Sequence, residues 1–358
     1  IKALTGYKVA CDASMSIYQF LISTQGYSKS YGLSELTDKD GNLTGHLQGI
    51  FNRSIMMLEK GIRPVWVFDG KPPEMKSKLL AERKKNKQEA EEKLKEAKEK
   101  DDEEAIKKYA GQTVKITKVM IDDAKNLVKL LGLPCIEAPG EAEAQCCELA
   151  KTKTVFGVAS EDMDCLTFGC PYLLNGFRSK DDPVVQIRLD EILKELEITM
   201  DQFIDICILC GCDYTGSIQN IGPTKAFNFI KEYNDIEGLL KLLEGDDKTR
   251  YKYEPENFLY KESRELFKTP DVIKSEDVKI EYNKPNVEEL KKFLIEEKGF
   301  SENRVESGLK RMDGALVKSA QNRLDNFFSI GKTIVSSTGT SNAKEKKLSQ
   351  SVNKKKKK

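Results

Sequence analysis

Residues 64–69, Pro-Val-Trp-Val-Phe-Asp, form a short apolar run that ends on an aspartate. Lys8-Val-Ala-Cys-Asp12 has the same character, and the apolar run at residues 154–160 is followed by Glu-Asp-Met-Asp at residues 161–164. Helical patterns lie between these runs, at residues 50–60, 119–131 and 142–150. Short buried strands that alternate with helices predict an α/β fold, with a mostly parallel central sheet flanked by helices.

Acidic residues follow these strands or stand at helix boundaries. The seven are Asp12, Asp69, Glu141, Glu143, Asp162, Asp164 and Asp213. Taken singly, each can be explained as a helix cap or as a partner of the helix dipole. In parallel sheets, however, sites form at the carboxyl ends of the strands. Seven carboxylates converging there would repel each other unless cations neutralised them.

The chemistry of these side chains narrows the choice of cation. Hard oxygen ligands without a histidine or thiolate partner favour Mg²⁺, with Mn²⁺ as a substitute. Two such ions about 3.5–4 Å apart are the usual device for cleaving a phosphodiester. The sequence therefore predicts a two-metal site at the edge of the sheet.

The composition excludes several other kinds of site. The chain of 358 residues has one histidine, His46, which rules out a multi-histidine metal site and leaves a single candidate base for a Ser-His-Asp triad. Nine cysteines follow no disulfide framework and indicate a reducing compartment. Cys207, Cys210 and Cys212 lie close together without an apparent fourth ligand, so buried helix cysteines are favoured over zinc.

Residues 71–110 have a different composition from the rest. After residue 73 they are almost wholly Lys, Glu, Ala, Gln and Leu, which favours long helices with little core. A solvated, salt-bridged arm is the simplest interpretation. The first part is nevertheless basic, and Lys76 and Arg83 are seven residues apart, so they share a helix face. From there both could donate hydrogen bonds to a scissile phosphate.

A second candidate element follows residue 200. The apolar run at 204–209 predicts a helix, and Gly211-Cys-Asp-Tyr214 and Ser217-Ile-Gln-Asn-Ile-Gly-Pro-Thr-Lys225 come after it. A short Gly/Pro turn between two helices resembles a helix-hairpin-helix, whose backbone amides hold a nucleic-acid phosphate. An ordinary helical turn would fit the same residues.

The charge is unevenly distributed. Residues 329–358 hold nine lysines and one acid, so they carry +8 and leave −7 for residues 1–328 of a chain whose total is +1. This tail has no aromatic residue and should be disordered. Its lysines suit nuclear import or nonspecific attraction to phosphate.

Five ordered motifs carry a family resemblance. They are Asp12-Ala-Ser-Met-Ser-Ile-Tyr-Gln-Phe20, Val67-Phe-Asp-Gly-Lys-Pro-Pro73, Ala138-Pro-Gly-Glu-Ala-Glu-Ala144, Glu161-Asp-Met-Asp-Cys-Leu-Thr-Phe168 and Gly211-Cys-Asp-Tyr214. Together they resemble the eukaryotic flap endonucleases of the structure-specific 5′-nuclease superfamily, the XPG/Rad2 type. The resemblance implies a PIN-like 5′-nuclease core, a helical gateway or arch, and a helix-hairpin-helix-type DNA-binding element.

The resemblance also implies roles for individual residues. The first Mg²⁺ would be held by Asp12, Asp69, Glu141 and Glu143, and the second by Asp162, Asp164 and Asp213. Lys76 and Arg83 match the basic pair of the gateway that steers the phosphate onto the metals, so they join the acids as catalytic residues. The implied DNA contacts are Tyr18, which stacks on a base, together with Arg53, Lys76, Arg83, Glu141, Gly211, Asp213 and Ser217. Ser217 and the turn after it match a K⁺-assisted duplex-binding hairpin.

The implied activity is cleavage of displaced 5′ flaps near the junction with duplex DNA, with weaker 5′-3′ exonuclease activity. Such an enzyme serves Okazaki fragment maturation in DNA replication and long-patch base excision repair. Two alternatives stay open: a related 5′ exonuclease or repair-junction nuclease, and a nuclease-inactive clamp-binding scaffold on DNA.

Gln321-Asn-Arg-Leu-Asp-Asn-Phe-Phe328 fits the pattern Q-x-x-L-x-x-F-F, with which family members dock on the sliding clamp, the trimeric proliferating cell nuclear antigen. Leu324, Phe327 and Phe328 would form an apolar plug and Gln321 a polar anchor. A last core-packing segment is the alternative, but paired aromatics just before a disordered tail favour an interface. The implied localisation is the nucleus, including nucleolus and nucleoplasm, with the mitochondrion as an open alternative.

The organisation along the chain follows from these assignments. The regions are an N-terminal nuclease region at 1–87, a charged helical arch at 88–110, an internal nuclease region with the hairpin at 111–240, a C-terminal part of the core at 241–319, the clamp motif at 320–328 and the basic tail at 329–358.

Some features depart from the family pattern. The family's short initial segment, which begins Met-Gly and packs near the active site, is absent here, so a chain lacking it is expected to cut poorly. The connection between Tyr18 and His46 is longer than usual, so the DNA-binding arginine expected near Gln25 has no assignment. Asn220 and Thr224 replace a glycine and a basic residue of the hairpin, which leaves its duplex affinity open.

Overall fold

Parallel strands organise the part of the chain that the computed structural model describes, which is residues 4–24, 26–28, 32–34, 36–177, 183–243, 252 and 254–319. The strands of the central sheet within these residues are β1 Lys8–Asp12, β4 Arg63–Phe68, β5 Cys135–Glu137, β6 Gly157–Ala159, β7 Tyr172–Asn175 and β8 Val185–Arg188. Their order is β5-β4-β1-β6-β7-β8, and only the β7–β8 pair is antiparallel. The prediction of a mostly parallel α/β sheet is confirmed. A separate hairpin pairs β2 Gly26–Ser28 with β3 Gly32–Ser34.

Both faces of the sheet are buried, which explains why its strands are apolar at successive positions. In β1, Val9 and Cys11 pack in one hydrophobic cluster and Ala10 in the other. The first cluster is covered by α1 Ala13–Ser23, α2 Gly45–Glu59, α5 Lys118–Leu130, α13 Val287–Lys291 and α14 Glu302–Ser319. The second is covered by α6 Ala142–Lys151, α7 Asp164–Thr167, α8 Leu189–Leu196, α9 Met200–Cys210, α10 Pro223–Tyr233, α11 Ile236–Leu243 and α12 Tyr260–Lys268.

Strand β6 is shorter than the apolar run that predicts it. The backbone N–H of Val155 donates to Leu149 O at 3.1 Å, so the start of the run closes the turn after α6 instead of joining the sheet. Phe156 N donates to Lys8 O at 2.8 Å, and pairing with β1 then continues from Gly157. The apolar residues before β6 therefore serve the turn.

Two long helices form the arm predicted from the charged segment. They are α3 Ser77–Glu99 and α4 Glu103–Thr113, which pack against each other. The buried residues of the pair are Ala90 and Ala97 on α3 and Ile106 and Ala110 on α4, which gives it a narrow apolar seam. We call α3 and α4, with the short helical turn Glu74–Lys76 before them, the gateway.

Helices α9 and α10 pack together and are joined by residues 211–222, which we call the hairpin. Arg264 on α12 links α9 to α11, because its guanidinium pairs with Asp205 on α9 at 2.8 Å and with Glu237 on α11 at 2.9 Å. The described residues belong to one compact unit, so the regions predicted at 1–87, 88–110, 111–240 and 241–319 pack together. Within the described ranges no helix is long and apolar enough to cross a bilayer.

Candidate active site

Two aspartates stand at the carboxyl ends of neighbouring strands and each also caps a helix. Asp12 ends β1, and its Oδ1 accepts a hydrogen bond from Met15 N at 3.0 Å, at the start of α1. Asp69 directly follows β4, and its Oδ1 accepts from Ala142 N at 2.7 Å, at the start of α6. These two acids therefore cap helices and also stand where the sequence predicts metal ligands.

The next four acids come from the start of α6 and from the loop after β6. Glu141 and Glu143 are 7% and 9% exposed, so both carboxylates are largely removed from solvent. Asp162 N donates to Ser160 Oγ at 3.0 Å, and Asp162 Oδ1 accepts from Asp164 N at 3.0 Å. This tight turn keeps Asp162 and Asp164 together at the end of β6.

Asp213 completes the set from the other side. It follows the end of α9, where Gly211 has a φ of 107°, a backbone conformation that glycine adopts at low cost. This bend turns the chain back so that Asp213 meets the gateway.

The charges of these carboxylates act on one another. Burial, followed by the charges of Asp69 and Asp162, raises the pKa of Asp12 to about 7. Burial, followed by the charges of Asp162 and Asp213, raises the pKa of Asp164 to about 7. For Glu143 the pKa is raised well above its usual value, first by burial and then by Asp162, Asp12, Glu141 and Asp164. Their mutual repulsion is the signature of a site for positive charge.

Two basic side chains of the gateway form ion pairs with these carboxylates. Lys76 Nζ lies 2.9 Å from Asp213 Oδ2 and also pairs with Glu141 Oε1, and its side chain is 14% exposed. Burial lowers the pKa of Lys76, but the ion pairs with Glu141 and Asp213 outweigh it, so the net pKa is raised. Arg83 Nη2 contacts Asp213 Oδ1 at 2.9 Å and Oδ2 at 3.1 Å. The structure thus brings Lys76 and Arg83 together against the carboxylates, as predicted, although Lys76 lies in the helical turn before α3 and not on the same helix as Arg83.

Tyr214 is a site residue that sequence reasoning missed. It is 1% exposed, and its hydroxyl donates to Glu141 Oε2. Burial and the nearby charges of Glu141 and Glu143 raise its pKa, which keeps the hydroxyl a donor. Its ring packs edge-on against Phe168 and Phe267, with centroids 6.4 Å and 5.1 Å away. The sequence offered one signal for it, since Tyr214 directly follows Asp213 in the motif at residues 211–214.

The donor set fits hard divalent cations. Within the described residues no group of three or more His, Cys, Asp or Glu side chains has the geometry of a formed metal site. Two of the seven acids, Glu141 and Asp213, are instead held in ion pairs with Lys76 and Arg83. All seven candidate ligands nevertheless offer oxygen atoms, and a dication would relieve the repulsion that raises the pKa values of Asp12 and Asp164.

Two of the predicted DNA-contact residues lie on α1 and α2. Tyr18 lies on α1 and is 39% exposed, so its ring is available for stacking. Arg53 Nη1 donates to Ser16 Oγ at 3.0 Å, and its guanidinium lies 4.3 Å above the ring of Phe20. Helix α1 thereby fixes the orientation of Arg53 on α2.

The hairpin presents its polar face outward. Ser217 is exposed, while Ile218 and Ile221 are buried beneath it. Gly222 stands before Pro223, the first residue of α10, so the Ile-Gly-Pro run marks a helix start as its composition suggests. The predicted clamp residues Gln321, Leu324, Phe327 and Phe328, the tail at 329–358, and Gln25 lie outside the described residues.

Known proteins resemble this chain in sequence and in fold. Residues 1–90 match the XPG N-terminal domain and residues 132–213 match the XPG I-region. The chain is 48% identical to flap endonuclease 1-1 of Paramecium tetraurelia, over 98% of this chain and 93% of that protein. It is 46% identical to flap endonuclease 1 of Tetrahymena thermophila, over 99% of this chain and 93% of that protein.

A solved structure agrees with these relatives. The flap endonuclease-1 of Methanococcus jannaschii superposes with a TM-score of 0.67 at 33% identity, over 88% of this chain and 95% of that one. The two matched regions contain all seven carboxylates of the site: Asp12 and Asp69 fall in the first and the other five in the second. Identity across nearly the whole length, the shared fold and this carboxylate centre establish that the chain belongs to the flap endonuclease 1 family.

Proposed function

We propose that this chain is a structure-specific endonuclease that cleaves 5′ flaps near their junction with duplex DNA, with weaker 5′-3′ exonuclease activity. The observation that carries this is the meeting of seven carboxylates at one edge of the sheet with Lys76 and Arg83 of the gateway opposite them. The carboxylates would bind cations, and the gateway would provide hydrogen-bond donors for a phosphate.

Enzymes of this family depend on divalent metal ions, and two Mg²⁺ would divide the seven ligands here. The first would take Asp12, Asp69, Glu141 and Glu143, and the second Asp162, Asp164 and Asp213, with Mn²⁺ as a substitute. When bound, such a pair provides a hydroxide at neutral pH and stabilises the charge that develops on the phosphate. Asp12 and Asp69 are held in position by the helix starts that they cap.

The gateway would bind the scissile phosphate. Lys76 lies in the turn before α3 and Arg83 on α3, and in the free protein Asp213 accepts from both. Exchange of Asp213 for a phosphate oxygen keeps each donor satisfied and directs positive charge at the atoms where negative charge develops. Exclusion of water by the gateway would strengthen these contacts.

Other residues would orient the DNA. The exposed ring of Tyr18 is placed to stack on a base beside the cut, and Arg53, fixed by Ser16 and Phe20, offers a guanidinium to a phosphate. Gly211, Ser217 and the backbone of the hairpin would hold the duplex, with K⁺ as an assisting ion. Glu141 and Asp213 would face the DNA from the metal site.

The chain would act in DNA replication and repair, at Okazaki fragments and in long-patch base excision. Gln321, Leu324, Phe327 and Phe328 would dock it on the sliding clamp, the trimeric ring of proliferating cell nuclear antigen. We place it in the nucleus, including nucleolus and nucleoplasm, with the mitochondrion as a second compartment to examine.

The test compares three labelled substrates: a 5′-flap duplex, a blunt duplex and a single strand, each with Mg²⁺ and with EDTA. We expect rapid cutting of the flap near its junction, slow cutting of the blunt end, and none in EDTA. Equal cutting of all three would refute structure specificity. Flap binding without cutting would favour the clamp-binding scaffold.

A further inference from the structure

Three cysteines near the hairpin have no role in the proposed reaction. Cys207 and Cys210 lie on α9, and Cys212 follows Gly211 in the hairpin. All three are free thiols, and Cys210 is exposed while the other two are half-buried. The expectation of buried helix cysteines is therefore wrong for Cys210. An exposed thiol with a second thiol one helical turn away is the usual arrangement of a site that oxidises to a disulfide.

The spacing of Cys207 and Cys210 suits such a bond. Residues three apart in an α-helix have Cα atoms about 5 Å apart, within the range of about 4.4–6.8 Å that disulfides require. Their Cβ atoms are about 5–6 Å apart and must approach by roughly 1–2 Å. Cys210 is the last residue of α9, and a Cβ built on Gly211 after it would meet no atom within 4 Å. The end of the helix therefore has room to make this adjustment.

Cys212 is less suited to be the partner. Burial raises the pKa of its thiol to about 11, and backbone hydrogen bonds from Tyr214 and Thr215 act against that effect. These bonds hold the thiol inside the turn that carries Asp213. A disulfide from Cys212 would break both of them.

The surroundings of Cys207 favour a disulfide over a thiolate. Burial raises the pKa of Cys207 to about 12, although a hydrogen bond with Thr167 acts against this effect. Both Cys207 and Cys210 also lie near the negative, C-terminal end of α9. A disulfide is neutral, so surroundings that destabilise a thiolate do not destabilise the disulfide in the same way. The exposed thiol of Cys210 provides the point of attack for an oxidant.

We propose that Cys207 and Cys210 form a disulfide by exchange with a small-molecule disulfide such as oxidised glutathione, and that this bond reversibly slows DNA cleavage. The sulfur of Cys210 first attacks the small disulfide, which releases one thiol and leaves a mixed disulfide on Cys210. The sulfur of Cys207 then attacks the Cys210 sulfur and expels the second thiol. Two protein thiols are thereby oxidised, their protons leave with the two released thiols, and one small disulfide is reduced.

The bond would disturb the second group of carboxylates from two sides. The thiol of Cys207 is hydrogen-bonded to Thr167, which is 1% exposed and ends α7, the helix that begins at Asp164. Asp213 lies three residues after Cys210. An approach of roughly 1–2 Å between the two cysteines changes the spacing between α7 and the turn of Asp213. Displacements of about 1 Å can lower a rate by about 10²-fold. The effect on cleavage rests on the proposed function, whereas formation of the disulfide does not.

The test incubates the reduced full chain with oxidised glutathione and then alkylates the remaining thiols for peptide mass spectrometry. We expect the peptide that contains Cys207, Cys210 and Cys212 to lose two hydrogen atoms and to be alkylated only at Cys212. Single-turnover cleavage of a 5′-flap duplex should fall by at least about tenfold in the same sample, and dithiothreitol should restore both the thiols and the rate.

Serine variants identify the two sulfurs. Cys207→Ser should stop at the mixed disulfide on Cys210, and Cys212→Ser should still form the internal disulfide. Cys210→Ser should keep its full flap rate in oxidised glutathione, and because Cys210 is exposed this variant should also keep the wild-type unfolding midpoint. Cys135→Ser, which removes a half-buried thiol elsewhere in the chain, is the matched control and should respond like the wild type.

The outcomes separate this inference from the proposed function. An unmodified peptide in the wild type, or a disulfide that requires Cys212, would overturn the assignment of the bond. An oxidised protein that cuts flaps at the full rate would overturn its effect on cleavage. If the reduced wild-type protein cut no flap, the proposed function would fall, and the mass measurement would still decide whether the disulfide forms.

Discussion

Lys76 Nζ lies 2.9 Å from Asp213 Oδ2, so an ammonium group of the gateway joins a carboxylate from the opposite side of the active site. The same nitrogen pairs with Glu141, a residue assigned to the other group of metal ligands. One lysine thus stabilises charges in both groups before any substrate arrives. A cation that binds these carboxylates must take over the role of the lysine, and the lysine is then available to a phosphate.

Replacing Lys76 should separate these two roles. In Lys76→Met we expect Mg²⁺ to bind more tightly by calorimetry, because a competing cation is gone, while single-turnover flap cleavage falls by about 10²-fold or more through loss of a donor to the phosphate. Lys95→Met provides the control for charge. Weaker Mg²⁺ binding would contradict the competition and would mean that Lys76 organises the carboxylates.

Asp164→Ala should abolish flap cutting and leave flap binding intact. Asp164 is one of the acids whose mutual repulsion a metal ion would relieve. In the described hydrogen bonds its side chain caps no helix. We expect a loss of at least about 10³-fold in the cleavage rate, with an unchanged dissociation constant for the flap. Substantial cutting by this variant would refute the metal assignment. Asp164→Asn supplies an isosteric comparison.

The metal-free protein should lose stability as the pH rises. The pKa of Asp12 and of Asp164 is about 7 in the folded protein, against about 3.9 in an unfolded chain, so the native state binds more protons up to about pH 7. The free energy of unfolding therefore falls as the pH rises through 7. We expect a lower unfolding midpoint at pH 8 than at pH 6.5 in EDTA, and a smaller difference in Mg²⁺.

Asp12→Asn provides the control, since it should reduce the pH dependence. His46 has the opposite effect on the free energy of unfolding at lower pH, because burial lowers its pKa to about 4. Measuring at pH 6.5 and above keeps this effect small. An Asp12→Asn variant with the full wild-type pH dependence would contradict the assignment to this carboxylate.

Tyr214→Phe should affect chemistry more than folding. The ring contacts with Phe168 and Phe267 survive this change, but Glu141 loses the hydroxyl that donates to its Oε2. We expect about a tenfold lower cleavage rate with an unfolding midpoint within a few degrees of wild type. A rate equal to that of wild type would show that Lys76 alone orients Glu141.

The clamp motif predicts a binding defect that spares catalysis. Phe327→Ala combined with Phe328→Ala removes both aromatics of the proposed plug, and anchors of this kind dominate interface energies. We expect loss of binding to the sliding clamp in a pull-down, with flap cutting in the absence of the clamp unchanged. Undiminished clamp binding would refute the docking role.

Local sequence patterns were sufficient for some of these features and insufficient for others. Asp12 and Asp69 were predictable because a buried strand that ends on an acid shows in the sequence, and parallel strands place their ends together. Lys76 and Arg83 were predictable as a pair from their seven-residue spacing, although Lys76 lies in the helical turn that precedes α3. Tyr214 was not, because a buried aromatic normally indicates core packing, and its contact with Glu141 depends on the bend at Gly211.

Long-range contacts lay beyond such patterns. The bond between Lys78 and Asn257 joins residues separated by 179 positions, and neither belongs to a periodic pattern. The short length of β6 had a similar cause, because a backbone bond from Val155 to Leu149 diverts apolar residues from the sheet into a turn. Such features depend on which segments meet in the folded chain.

The helix caps formed by Asp12 and Asp69 affect how the nuclease can lose its activity through mutation. Each carboxylate is a proposed metal ligand and also accepts a hydrogen bond from a backbone N–H at the start of a helix. Losing such a cap typically costs about 1 kcal/mol. Compared with a substitution at Asp164, which removes no helix cap, a substitution at either position should therefore lower the cellular abundance of the protein as well as its turnover. Dominant-negative alleles, which must persist on DNA while remaining inert, are accordingly expected at Asp164 more readily than at Asp12 or Asp69.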